Sequence, residues 1–138
     1  MKILYKTSAT ATGGRDGSAK TDDGRLSVNL SIPKELGGPG KEGATNPEQL
    51  FAAGYAACFE SAIRHTARGE KITIPELHVE AMVALTPAPT GFALQVSLHP
   101  KFSGLEQAVC ESLVKKAHEI CPYSNAIRGN VPVEIKVN

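Results

Sequence analysis

The chain has 138 residues, and its 15 basic residues against 14 acidic ones leave it almost without net charge. That length allows one domain with a real core and no need for disulfide staples. The balanced charge, the absence of like-charge runs and the lack of Trp exclude a nucleic-acid surface, and no stretch approaches the ~20 apolar residues of a membrane span.

The first residues, "MKILYKTSAT", carry only a short apolar run, so no secretion signal is read there and a cytoplasmic protein is expected. Ile3 and Tyr5 suggest an opening strand. "GGRDG" (Gly13 to Gly17) is turn chemistry between two early strands. Leu26, Val28, Leu30 and Ile32 then alternate with polar residues, the period of a half-buried strand. The Gly-rich connection from Leu36 to Pro47 contains neither G-x-G-x-x-G nor G-K-[ST], so it reads as a mobile or closely packed loop rather than a phosphate cradle.

A helix follows. Asn46 suits the N-cap, Pro47 the first helical position, and Glu48 the first turn, where the helix dipole favours an anion. Leu50, Gly54, Cys58 and Ala62 form one stripe; Phe51, Tyr55, Phe59 and Ile63 form the next. With Ala52, Ala53, Ala56 and Ala57 beside them, the helix is expected to be central, covered on several sides, and to end near Gly69. Two strands come next, on Leu77–Val79–Ala81–Val83–Leu85 and Phe92–Leu94–Val96–Leu98, with "TPAPTG" (Thr86 to Gly91) as their hairpin. A second helix is expected from about Gly104 to Ile120, with Leu105, Val109, Leu113 and Ala117 facing inward. Pro122 stops it, "CPYSNAIRGN" is read as a loop, and Val133, Ile135 and Val137 mark a last strand. The order predicts an α+β fold of antiparallel-looking strand pairs around two long central helices, in a single domain spanning 1–138.

Three cysteines form no C-x-x-C or Cys/His ligand pattern, so no metal site is expected. His65, His78, His99 and His118 are dispersed and read as surface or edge residues. Periodicity alone makes Cys58 a packing residue; the alternative is a thiolate nucleophile in a dry pocket, which would need a nearby cation. Cys121 stands at a helix C-terminus, where the dipole disfavours a thiolate. It suits a resolving thiol better than a first nucleophile. Cys110 reads as packing.

Three segments together, "ATATGGRDG" (Ala9 to Gly17), "TNPEQLFAAGYAACF" (Thr45 to Phe59) and "CPYSNAIRGN" (Cys121 to Asn130), resemble the organic hydroperoxide resistance proteins. These are one branch of a superfamily that also holds the osmotically inducible stress proteins. The resemblance implies an intertwined homodimer and a thiol peroxidase that reduces alkyl and fatty-acid hydroperoxides to alcohols. It makes Cys58 the peroxidatic cysteine and Cys121 the resolving one, with Arg15 and Glu48 activating the thiolate. It implies no bound cofactor, with dihydrolipoamide or a lipoylated protein as reductant. Phe51, Tyr55 and Phe59, with Pro122 and Tyr123 at the mouth, are candidates to line an apolar substrate pocket; for each, ordinary core packing is the competing reading.

Glu48 and Cys58 are ten residues apart on one helix, a rise of about 15 Å, so Glu48 cannot pair directly with its own Cys58. Either Arg15 bridges the gap from a distance or each site takes groups from two subunits; the second, an intertwined dimer with two composite sites, is the favoured reading. The competing functions are an osmotically inducible type peroxidase of broader specificity, a non-enzymatic carrier of a small hydrophobe, and a peroxide sensor.

Overall fold

A computed structural model describes residues 1–138. The chain divides into two compact units, Met1–Leu50 and Phe51–Asn138, with the boundary inside the first helix. The fold is α+β.

The first unit is a four-stranded sheet of β1 (Ala9–Thr12), β2 (Ser18–Thr21), β3 (Ser27–Leu30) and β4 (Ala44–Thr45), in that order. β1, β2 and β3 pair antiparallel, and β4 joins β3 in parallel. The expected strand at Ile3 and Tyr5 does not form. Both side chains are exposed, and the first strand starts at Ala9. Alternation marks a strand only where a neighbouring strand offers hydrogen bonds, and the nearest backbone bond to this segment is from Asp22 N–H to the Ser8 carbonyl. The Gly-rich connection is packed: the Lys41 amide donates to the buried Ser31 hydroxyl and the Gly40 amide to the Ile32 carbonyl.

"GGRDG" is the turn between β1 and β2, a single 3-10 turn over Gly14–Asp16. It is tied down on both sides. The Asp16 carboxylate accepts from the Ile32 amide, and the Gly17 carbonyl from the Leu30 amide. A side chain at 17 has no room, because a Cβ there would lie 1.8 Å from the Thr12 carbonyl oxygen.

The second unit holds most of α1 (Pro47–Gly69), then β5 (Glu76–Pro87), β6 (Phe92–Ser103), α2 (Gln107–Ile120), α3 (Pro122–Ile127) and β7 (Val133–Ile135). β5 and β6 form one long antiparallel hairpin from Glu76↔Ser103 to Pro87↔Phe92. β7 joins β6 in parallel, as a strand reached by a helical crossover can. The paired rows predicted by alternation therefore hold, with a parallel partner added at one edge of each sheet.

Asn46 caps α1 as expected, its side-chain oxygen accepting the Gln49 amide at 2.9 Å. The core packs Tyr55, Phe59, Ala62, Ile63 and Ala67 of α1 against Leu113, Val114 and Ala117 of α2, over Leu77, Val96 and Leu98 of the sheet. Each large apolar side chain buried this way contributes roughly 1.5–3 kcal/mol. Within one chain, α1 is not covered on several sides: Ala53, Ala57 and Ser61 are exposed. α2 begins at Gln107, later than expected, because Gly104 has φ 81° and Glu106 is extended. The segment after Cys121 is a helix rather than a loop. Pro122 forces Cys121 out of helical geometry, ending α2, and then occupies the first position of α3.

Gly17→Ala should lower stability by about 1–3 kcal/mol, because the clash is with backbone that cannot move aside. Chemical denaturation checks this; an unchanged midpoint would mean that the turn yields.

Candidate active site

Two clusters carry the predicted site residues, one in each unit. In the first, Arg15 projects from the tied-down turn and Glu48 from the first turn of α1. Arg15 Nη1 donates to Glu48 Oε2 at 3.1 Å, and Nη2 lies 2.9 Å from Oε1. The second contact is off-axis for a hydrogen bond, so the buried Oε1 has a charged neighbour but no aligned donor. Arg15 remains 39% exposed while Glu48 is 16% exposed, so the guanidinium is anchored yet keeps donors free.

In the second unit, α1 presents Cys58 and the α2–α3 corner presents Cys121. Their sulfurs are 3.5 Å apart and unbonded, with the Cys121 thiol donating to Cys58. Cys121 is fully buried; Cys58 is half-exposed and borders an open cleft of about 550 Å³. Ser61, Ala62, His65, Arg68, Ile120 and Pro122 line the rest of that cleft. Burial pushes the Cys58 thiol above its ordinary value. The Tyr123 backbone amide works against that by donating toward the sulfur, and Cys121 adds to the rise. No cation is among these influences. Cys110 is buried, with its thiol 4.0 Å from the Leu105 carbonyl oxygen.

Of the five residues expected to line a pocket, Pro122 borders the cleft. Tyr55 and Phe59 lie wholly in the core. Phe51, Tyr55 and Tyr123 form an edge-to-face and tilted aromatic cluster with centroids 5.8–6.3 Å apart. Gly54 admits it: a Cβ there would meet the Tyr123 hydroxyl at 2.7 Å.

Sequence reasoning missed two residues. Tyr55 Oη lies 2.6 Å from Ser124 Oγ, which lies 2.8 Å from His118 Nδ1. Tyr55 and Ser124 are fully buried. Burial and the positive Arg128 nearby hold His118 below its ordinary value, so its ring stays neutral. Burial raises Tyr55, so its hydroxyl stays protonated. The Ser124 hydroxyl joins the two, able to donate to one while accepting from the other. The symmetry of His118 and Ser124, three residues on either side of Cys121, was the available signal; reading 121–130 as a loop hid it.

No cluster of three or more His, Cys, Asp or Glu side chains is placed to hold a metal ion, and no helix is long and apolar enough to cross a membrane.

The α+β fold of this chain is one that known proteins share. The family model of the OsmC-like proteins matches residues 38–136. An organic hydroperoxide resistance protein of Xanthomonas axonopodis pv. citri is 49% identical over 135 residues, 97% of this chain and 94% of the relative. OhrA of Bacillus subtilis, with the same description, is 43% identical over 97% of this chain and 96% of its own. Among solved structures, an organic hydroperoxide resistance protein from Legionella pneumophila superposes with TM-score 0.95 at 57% identity, covering 99% of both chains. One from Vibrio cholerae, with captopril bound in one of its active sites, superposes with TM-score 0.94 at 52% identity, covering 100% of this chain and 94% of that one. The chain thus belongs to the OsmC-like family, and within it to the organic hydroperoxide resistance proteins.

The His118 ring gives a test of the geometry. Its folded value lies below the ordinary 6.5, so between the two the unfolded chain binds more protons and stability falls as pH drops. Denaturation midpoints at about pH 7.5 and about pH 5 should therefore differ less in His118→Asn than in wild type. An equal pH dependence in both would show that His118 titrates freely in the folded chain.

Proposed function

We propose that this protein is a cysteine-based thiol peroxidase that reduces organic hydroperoxides to alcohols and is recycled by a dithiol of the lipoyl type. The observation that carries this reading is the 3.5 Å approach of a buried Cys121 sulfur to a Cys58 sulfur that opens onto a cleft. Two thiols so placed can be oxidised in sequence without a large movement of the chain.

In the first step the Cys58 thiolate attacks the distal peroxide oxygen. The O–O bond breaks, the alkoxide takes a proton and leaves as alcohol, and Cys58 becomes a sulfenic acid. Cys121 then attacks that sulfur, and the hydroxyl departs as water. A dithiol restores the pair by two exchanges, closing its own disulfide.

Burial opposes the first step, because it raises the Cys58 thiol. We assign its activation to Arg15, which Glu48 holds by one aligned hydrogen bond and a second close contact. In our reading, the pair acts in a homodimer with two composite sites, and the description of captopril in one of the active sites of the Vibrio cholerae relative accords with more than one site. An apolar edge of Ile120, Pro122 and Ala62 in the cleft favours an alkyl tail, whose binding energy hydrogen peroxide lacks.

Turnover of tert-butyl hydroperoxide with dihydrolipoamide should be abolished by Cys58→Ser. Cys121→Ser should consume one equivalent and then cycle poorly. The wild-type kcat/KM should be at least about tenfold higher for the alkyl hydroperoxide than for hydrogen peroxide. Undiminished turnover in Cys58→Ser would end this reading, and equal rates on the two peroxides would move it to a broad-specificity peroxidase.

The activation role has its own measurement. The pH dependence of Cys58 alkylation should shift to higher pH in Arg15→Ala, by about one unit or more, and in Glu48→Gln in the same direction by less. Superimposable profiles would remove Arg15 from thiolate activation.

A further inference from the structure

The cysteines do not reach 3.5 Å by themselves. Cys58 is three residues beyond Tyr55 on α1, while Cys121 is flanked by His118 at the end of α2 and Ser124 in α3. The Tyr55–Ser124–His118 chain, with contacts of 2.6 and 2.8 Å, therefore ties together the three helices that carry the dithiol. Ser124 sits at its centre, fully buried, and its hydroxyl is both donor and acceptor. Arg128 closes the same corner from outside, donating to the His118 carbonyl and to Asn125 Oδ1. Backbone bonds from Cys121 N–H to Ala117 and from Asn125 N–H to Cys121 leave little freedom at Cys121 itself.

We propose that Ser124 and His118 are positioning residues for the resolving step: the Tyr55–Ser124–His118 chain holds Cys121 against Cys58, so that the sulfenic acid is captured before a second peroxide reaches it. This deepens the peroxidase reading and rests on it. The step is Cys58–SOH plus Cys121–SH giving the disulfide and water. The S–O bond breaks, the S–S bond forms, and the Cys121 proton leaves with the departing hydroxyl. The sulfurs must close from 3.5 Å to about 2.05 Å, a movement of side-chain scale. An α2–α3 corner freed of its buried hydrogen bonds would spread Cys121 over many positions, and the loss of orientation would slow an intramolecular attack far more than the attack of an external peroxide on Cys58.

The test is a single-turnover experiment with one equivalent of tert-butyl hydroperoxide. It follows Cys58 sulfenic acid as a dimedone adduct, the Cys58–Cys121 disulfide by mass spectrometry, and the sulfinic acid under excess peroxide. The quantity read is the rate of disulfide formation relative to that of sulfenic acid formation. It should fall about tenfold or more in Ser124→Ala and His118→Leu, with sulfinic acid accumulating. His118→Asn, which keeps a hydrogen-bonding group near the position of Nδ1, should recover most of the ratio. An unchanged ratio in both disruptive variants, or a His118→Asn no better than His118→Leu, overturns the proposal. If Ser124→Ala does not fold, the two His118 variants decide it. A wild-type protein that consumes no peroxide and forms no disulfide would instead overturn the peroxidase reading, and this proposal with it.

Discussion

The constraint on which the dithiol depends is the corner at Cys121. Proline cannot follow a residue in helical geometry without a clash, so Cys121 adopts φ −63° and ψ 123°, ending α2 and starting α3 in one residue. That corner turns the Cys121 sulfur inward to Cys58. It also leaves the Tyr123 amide, one of the first-turn donors without a helical acceptor, free to face the Cys58 sulfur. One turn further on, Ser124 is delivered to the gap between Tyr55 and His118. A helix that continued through residue 121 would place none of these groups where they are.

Burial serves the two cysteines differently. Cys121 is sealed in the core, out of reach of an external oxidant, and Cys58 faces the cleft. The same burial raises the Cys58 thiol, against the needs of a nucleophile. In the function proposed here, the first unit answers that cost with an arginine that is itself held in place. The turn bearing Arg15 is sewn to β3 through Asp16 and Gly17, and Glu48 is set by a capped helix start. An anchored guanidinium loses less entropy on meeting a thiolate than a free surface side chain would.

The legible parts of the chain were those governed by local rules. Alternation in 77–85 and 92–98 marked a hairpin whose register runs unbroken from Glu76↔Ser103 to Pro87↔Phe92. Asn46 and Pro47 marked the start of α1 to the residue. The failures were non-local. Ile3 and Tyr5 alternate but have no strand beside them. β4 and β7 join their sheets in parallel, which no pattern within either segment encodes. Residues 122–127 are the local exception: a proline that ends α2 also suits the first position of α3, so one residue carries both signals.

By itself, the sequence determined which residue types are available and on which element each lies: a cysteine on an apolar helix, another before a proline, an arginine in a glycine turn and a glutamate at a helix start. Those follow from periodicity, capping and turn chemistry, which act over a few residues. Only the tertiary structure decided that Cys58 and Cys121, separated by 63 positions, meet at 3.5 Å. Only it decided that Tyr55, Ser124 and His118 form one hydrogen-bonded chain. Such meetings depend on how helices from distant parts of the chain pack, and packing is set by the whole core, not by any segment of it.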